Sequence, residues 1–163
     1  MYIRKNQLYI IIGIIVLLMA IFIIYSISNN NDLNNEEEEV IKLVEDFGRT
    51  LKNVSLLAPR DSVIQAINEN YSPYVTDELM QSWIANPRRA PGRTTSSPWP
   101  ERIEINNVER LSENEYLLKG RIVEVTSTEA ESGGAAAFRP IELSVIKIGN
   151  NWLIDGITVG NYE

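Results

Sequence analysis

An α+β domain behind a single membrane-spanning helix is the fold class this sequence predicts, and three observations carry it. Residues 8–27, LYIIIGIIVLLMAIFIIYSI, contain no charged side chain. Apolar residues then recur at helical spacing from residue 36 to residue 87, and from residue 101 onward they alternate with polar ones as in half-buried strands. Helices first and a run of antiparallel strands afterward make an α+β arrangement, with the helices covering one face of a four-stranded sheet. The 163 residues hold one ordinary domain and such an appendage.

At about 1.5 Å of rise per residue, the apolar helix covers the roughly 30 Å hydrocarbon core of a bilayer. Fourteen of its residues are Ile, Leu, Val or Phe. At about −0.3 to −0.6 kcal/mol each, they contribute at most roughly −4 to −8 kcal/mol to insertion. The span is placed at residues 8–28, behind a tail of residues 1–7 that carries Arg4 and Lys5. SNNNDLNNEEEE follows, with no basic residue before Lys42. Positive charge stays on the cytoplasmic side, so the tail is expected inside the cell and the rest of the chain outside the cytoplasm, anchored in the cell membrane. The other reading is a cleaved signal peptide, whose apolar core runs only about 7–15 residues and ends at a small-x-small site. Here the core is longer and YSISNNN is a poor cleavage site, which favours an uncleaved single-pass anchor. Gly13 and Ala20 make no small-xxx-small pair, so the span reads as a tether.

Charge and composition then exclude several function classes. Beyond Arg4 and Lys5 the chain carries 13 basic and 22 acidic side chains, a balance of −9. That argues against a nucleic-acid-binding domain, whose phosphate contacts need a basic face. There is no cysteine, so the domain is expected to hold together by its core alone; small secreted eukaryotic domains commonly use disulfides, and a bacterial source fits better. Histidine is also absent, which removes the commonest acid–base side chain near neutral pH and zinc sites of the Cys/His type. No phosphate loop, GxGxxG or GxSxG stretch occurs, and no cofactor or metal is expected.

Within the exported part, residues 29–35 form an asparagine-rich polar spacer with too little apolar content to pack. The domain is expected over residues 36–163. Its first helix, EEEEVIKLVEDFGRTLKNV, puts four acids where the helix dipole favours them and sets Val40, Val44, Phe47, Leu51 and Val54 in a narrow stripe. SVIQAINENY has Ser62 and Gln65 at capping-box spacing and presents Ile64, Ile67 and Tyr71 on one side. TDELMQSWIANP takes Thr76 as N-cap, buries Leu79, Met80, Trp83 and Ile84, and is stopped by Pro87. The strands are ERIEINNVERL, EYLLKGRIVEVTS, RPIELSVIKI and the run closing on WLIDGITV; a Gly/Ala-rich loop separates the second and third, and GNN turns the last hairpin. Ile141, Leu143 and Val145 share one strand face, and Trp152 and Ile154 share one on the next.

A long first helix, two short helices and a meander ending in GNNWLIDGITVGNY resemble the nuclear-transport-factor-like, or cystatin-like, superfamily over residues 36–162. The resemblance implies a cone-shaped domain, about three helices packed on a strongly curved four-stranded antiparallel sheet. It admits isomerases, hydratases, transport adaptors and secretion-system subunits, among which fold alone does not choose. Enzymes of that superfamily work inside the cone with an Asp or His base and Tyr or Asp oxyanion donors. On this chain that implies Asp155 as base, with Tyr71, Tyr74 and Tyr116 as donors. Against it, Asp155 alternates imperfectly with Trp152, Ile154 and Ile157, and a strand aspartate facing water is the simpler reading. The order of tail, span and domain is similar to that of the inner-membrane assembly factor of type IV secretion and conjugation machines. A non-catalytic interaction or assembly subunit with a protein partner in the cell envelope is therefore expected, the alternative being a small-molecule-binding or isomerase-like cone.

NPRRAPGRTTSSPWPER, residues 86–102, stands apart from the rest of the domain. It places four arginines (Arg88, Arg89, Arg93 and Arg102), four prolines and Trp99 between the last helix and the first strand. Proline disfavours helix and central strand, which leaves a stiff extended connection. A flexible linker would be rich in Gly and Ser and would carry no tryptophan. Two readings follow: Trp99 plugs the open end of the cone while the arginines pair with acids, or Arg and Trp together form a partner-contact surface or pocket rim.

Overall fold

The alternation read from residue 101 onward becomes a four-stranded antiparallel sheet in the order β1-β2-β3-β4. The strands are β1 (Trp99–Ser112), β2 (Glu115–Val125), β3 (Ala137–Ile148) and β4 (Asn151–Val159). A computed structural model describes residues 17–19 and 34–162 of the chain. It divides into two units, Met1–Glu38 and Glu39–Glu163. The expected tail and span, residues 1–28, lie outside the described residues except for 17–19, which are helical and exposed. Among the described residues no helix is long and apolar enough to cross a membrane.

In the larger unit residues 39–50, here α1, are helical and run into a 3-10 turn at Leu51–Asn53. Val40, Val44, Phe47, Leu51 and Val54 are all fully buried, as the stripe predicts. Gly48 lets α1 come close to the sheet: a Cβ there would lie 2.7 Å from the backbone nitrogen of Ile103 on β1. α2 (Arg60–Tyr71) starts two residues before the expected Ser62, with Pro59 at the N-cap and no side-chain capping bond. The capping box is therefore not formed; the Arg60 guanidinium donates instead to the carbonyls of Ile84 and Ala85, at 3.1 and 3.4 Å. Val63, four residues before Ile67, is buried beside Ile67 and Tyr71, while Ile64 is half-buried. α3 (Asp77–Ala85) keeps its expected cap, the Thr76 hydroxyl accepting from the Leu79 N–H at 3.3 Å, and Pro87 lies just past its end.

Helices and sheet share one core. Ile103, Tyr116, Leu118, Ile122, Ile141, Leu143, Val145, Trp152 and Ile154 on the sheet are buried with the apolar faces of α1, α2 and α3. β1 is an edge strand, so Pro100 opposite Glu124 is tolerated, and the strand begins two residues earlier than the sequence suggests. Register shifts between Pro100 and Arg102, Ile105 and Asn107, and Arg110 and Ser112 bend and twist β1. Gly149, the first residue of the two-residue β3–β4 turn, has φ +63°, a conformation other side chains rarely adopt.

The connection between β2 and β3, expected as a plain loop, contains a six-residue helix, α4 (Ser127–Ser132). Thr126 and Glu129 form a capping box at its start. The Thr126 hydroxyl and N–H both donate to the Glu129 carboxylate, the latter at 3.0 Å, and these bonds hold that carboxyl below its ordinary pKa.

Candidate functional site

The four residues of the enzyme reading stand in different settings, three buried or half-buried and one exposed. Tyr71 is fully buried, its ring packed on Phe47 and Trp83, and its hydroxyl donates to the Pro91 carbonyl at 2.7 Å. Burial holds the phenol pKa above its ordinary value. Tyr116 is buried edge-on against Trp152. Tyr74 is half-buried near Phe47, and its carbonyl accepts from the Ile154 N–H at 2.8 Å.

Asp155 is exposed, and the register explains its imperfect alternation. Val145 pairs with Ile154 and Ser144 with Gly156, so Asp155 is the extra residue of a bulge. After it Ile157 pairs with Leu143, and both Ile154 and Ile157 pack on the core although they stand three apart. The Asp155 carboxylate accepts from the buried Thr76 hydroxyl at 2.9 Å. With the Thr76 N–H bonded to the Ile154 carbonyl at 2.9 Å, it ties the start of α3 to the edge strand.

The residues of the 86–102 stretch separate in the same way. Arg88 and Arg89 lie on a 3-10 turn, Pro87–Arg89, whose first residue is buried while both arginines are exposed. Among the described residues no side chain pairs with either guanidinium. Arg93 is stitched by its backbone to residues 54–56, through Arg93 N–H to Val54 at 2.8 Å and Leu56 N–H to Arg93 at 2.9 Å; its Nη2 donates to the Ser96 carbonyl at 3.0 Å. Trp99 is half-buried at the start of β1, and its indole N–H donates to Glu101 at 3.0 Å.

Burial raises the Glu101 carboxyl, but hydrogen bonds from Lys52, 2.8 Å away, and from Trp99, with the charges of Lys52 and Arg102, outweigh it and set the pKa below the ordinary value. Arg102 donates to Glu104 at 2.6 Å, and Arg121 reaches the second Glu104 oxygen at 2.8 Å; these two partners lower the Glu104 carboxyl. Arg88 lines a hollow with residues 56–58, Arg60, Val63 and residues 85–87, whereas Arg102 lines another with Arg49, Lys52 and Glu129.

Sequence reasoning missed a polar cluster at one end of the core. Glu124 and Arg139 have side chains only 1% and 9% exposed, and Arg139 Nε lies 2.7 Å from Glu124 Oε1. Glu124 Oε2 and Arg139 Nε and Nη2 are buried without a hydrogen-bond partner, so the short Nε contact is an ion pair without hydrogen-bond alignment. Tyr162 covers the pair, its hydroxyl 3.4 Å from Glu124 and its ring 5.2 Å from the Arg139 guanidinium. The Thr94 hydroxyl meets that of Tyr162 at 3.3 Å, tying the 86–102 stretch to the end of the chain. The signal was in the strand pattern: Glu124 has the parity of Leu118 and Ile122, and Arg139 that of Ile141 and Leu143, so each charge stands where the alternation demands an apolar residue. Among the described residues no group of three or more carboxylates could hold a metal ion.

No protein-family model matches the chain. No curated protein matches it either. Among solved structures, an NTF2-like protein involved in plasmid conjugation aligns with a TM-score of 0.42 at 13% sequence identity, over 79% of this chain. The chain spans 40% of that protein's length.

Proposed function

We propose that this chain is a membrane-anchored, extracytoplasmic interaction module without catalysis, a subunit of an envelope complex of the secretion or conjugation type. The observation that carries the reading is the exposed pair Arg88 and Arg89, unpartnered among the described residues on a domain rich in carboxylates. Twenty-two acidic side chains are present in the sequence, yet none engages these two guanidiniums in the described part. Arginine offers planar, multidentate contacts to carboxylates and is enriched at the centres of protein interfaces. The groups that an isomerase-like cone would need are committed elsewhere, Tyr71 to Pro91 and Asp155 to Thr76. The anchor and its direction rest on the uncharged run at residues 8–27 and on the Arg4 and Lys5 flank. The order of short tail, span, spacer and α+β domain supports the envelope-complex part of the proposal.

Both halves are tested on the full chain in its native membrane. Protease added to spheroplasts should digest the C-terminal domain, and a photo-crosslinking side chain in place of Arg89 should give discrete adducts with other envelope proteins. A protected or released domain would refute the topology. Absence of adducts at Arg89, Trp99 and Arg102 alike would refute the interaction role.

A further inference from the structure

Next to the unpartnered arginines lies a groove of about 490 Å³ between the turn at residues 55–58 and the end of α3. Leu56, Val63 and Pro87 are among its apolar lining residues, and Val63 and Pro87 are themselves buried. Leu57, which also lines it, is 61% exposed, more than any other large apolar side chain described in the larger unit. Arg60 and Arg88 supply the charge. Arg60 is fixed by its bonds to the Ile84 and Ala85 carbonyls, while Arg88 is free to engage a ligand among the described residues. Both walls are held in place: the 54–56 segment is bonded to Arg93, and the Pro87–Arg89 turn is closed by the Arg89 and Ala90 N–H groups on the Asn86 and Pro87 carbonyls, at 3.0 and 3.2 Å.

We infer that this groove docks a short peptide segment of a partner protein that combines leucine-like side chains with flanking carboxylates. The inference rests on the interaction reading above and names the chemistry of the partner. Size supports it, since the volume falls within the roughly 300–1,000 Å³ of pockets that bind ligands. Charge complementarity chooses the sign: the exported chain carries −9, so an acidic segment is repelled by most of its surface and attracted where Arg60 and Arg88 line the groove. The same balance disfavours an anionic membrane surface, which would have to approach the whole domain rather than one groove. Pre-set walls lower the ordering cost of binding, which suits an extended peptide lying between two fixed turns. Leu57 then closes over the apolar side chain and loses its exposure.

The probe is a fluorescein-labelled hexapeptide of two leucines flanked by glutamates, added to the purified full chain in nanodiscs of neutral lipid and followed by anisotropy. Binding should saturate, weaken as salt rises, and fall about tenfold or more with Arg88→Glu, a change at an exposed side chain that leaves the fold intact. Leu57→Ser should weaken it too. Exchanging the peptide's glutamates for lysines, or its leucines for serines, should abolish binding. Three results would overturn the inference. One is peptide binding unaffected by both Arg88→Glu and Leu57→Ser. Another is capture of vesicles containing phosphatidylglycerol that depends on Arg88 while the peptide does not bind. The third is self-association in sedimentation that Arg88→Glu disperses, which would assign the groove to a second copy of the chain. Failure here with envelope adducts intact at Arg89 would leave the interaction role standing and remove only this partner chemistry; loss of both would remove the role itself.

Discussion

At the scale of single residues, Gly48 marks a close approach of helix to sheet. A Cβ there would stand 2.7 Å from the Ile103 nitrogen and 3.0 Å from the Ile103 side chain. Backbone cannot rotate aside as a flexible side chain can, so Gly48→Ala should push α1 off β1 and cost about 1–3 kcal/mol, although alanine is the better helix former. A lower urea midpoint with an unchanged slope is the expected result; a stabilised variant would mean that α1 has room to move. Residue-level reading from sequence succeeded best where a long regular period decided the matter. The α1 stripe from Val40 to Val54 is fully buried because a helix repeats its faces without exception. It failed at Asp155 because one extra residue at a bulge reverses the alternation, and nothing local in WLIDGI announces the bulge. It failed at Ile64 because Val63 and Ile64 both stand at helical spacing from Ile67, and the packing of α2 on the core buries Val63.

At the scale of elements, the 86–102 stretch behaves as a fixed strap rather than a free loop. Pro91 receives the Tyr71 hydroxyl, Arg93 pairs with residues 54–56, Thr94 meets Tyr162, and Trp99 opens β1. Trp99 is neither a fully buried plug nor a bare anchor: it is half-buried, with its N–H on Glu101. Trp99→Ala should therefore cost about 2 kcal/mol, below the roughly 3–5 kcal/mol of a fully buried tryptophan. Trp99→Phe should recover most of the loss by restoring the ring; equal losses for both variants would make the indole N–H the main contribution. The proline pattern made the stiffness legible, whereas the splitting of its arginines between two hollows was not, since it depends on where the edge strand starts.

The β1–β2 pair has its own pH signature. Arg121 and Arg102 hold the Glu104 carboxyl below its ordinary pKa in the folded state. A depressed carboxyl contributes stability that is present above the unfolded value, about 4.3, and lost as pH falls through the folded value. Thermal midpoints should drop below about pH 4.5, and Glu104→Gln should flatten that acid limb while lowering stability at pH 7. The Arg121 and Glu104 side chains are 42% and 33% exposed, so the effect stays modest. An acid limb unchanged in Glu104→Gln would assign it to Glu101 or Glu129, whose carboxyls are lowered in the same direction.

For the molecule as a whole, the feature that the fold has to accommodate is the buried pair of Glu124 and Arg139. Their side chains are 1% and 9% exposed, and each keeps a buried polar atom without a hydrogen bond. Taking two charges out of water is expensive, and a poorly aligned contact recovers only part of that cost. Yet the strands that carry them are central ones, β2 and β3, and the last residues of the chain return to cover them through Tyr162. Removing one partner leaves the other charged and buried. Arg139→Met alone should destabilise the protein by about 3–5 kcal/mol, and Glu124→Leu should do the same with the opposite charge exposed to the core. The double variant replaces both charges by apolar groups of similar bulk, and its stability should return to within about 1 kcal/mol of the parent or exceed it. Urea midpoints of the three variants measure the coupling directly. A double variant as unstable as the sum of the two singles would mean that the charges act independently and that Tyr162 or the 86–102 strap, rather than their pairing, satisfies them. Full recovery would mark the pair as one that stability does not require, and would turn attention to Tyr162 as the part of this end of the domain able to open.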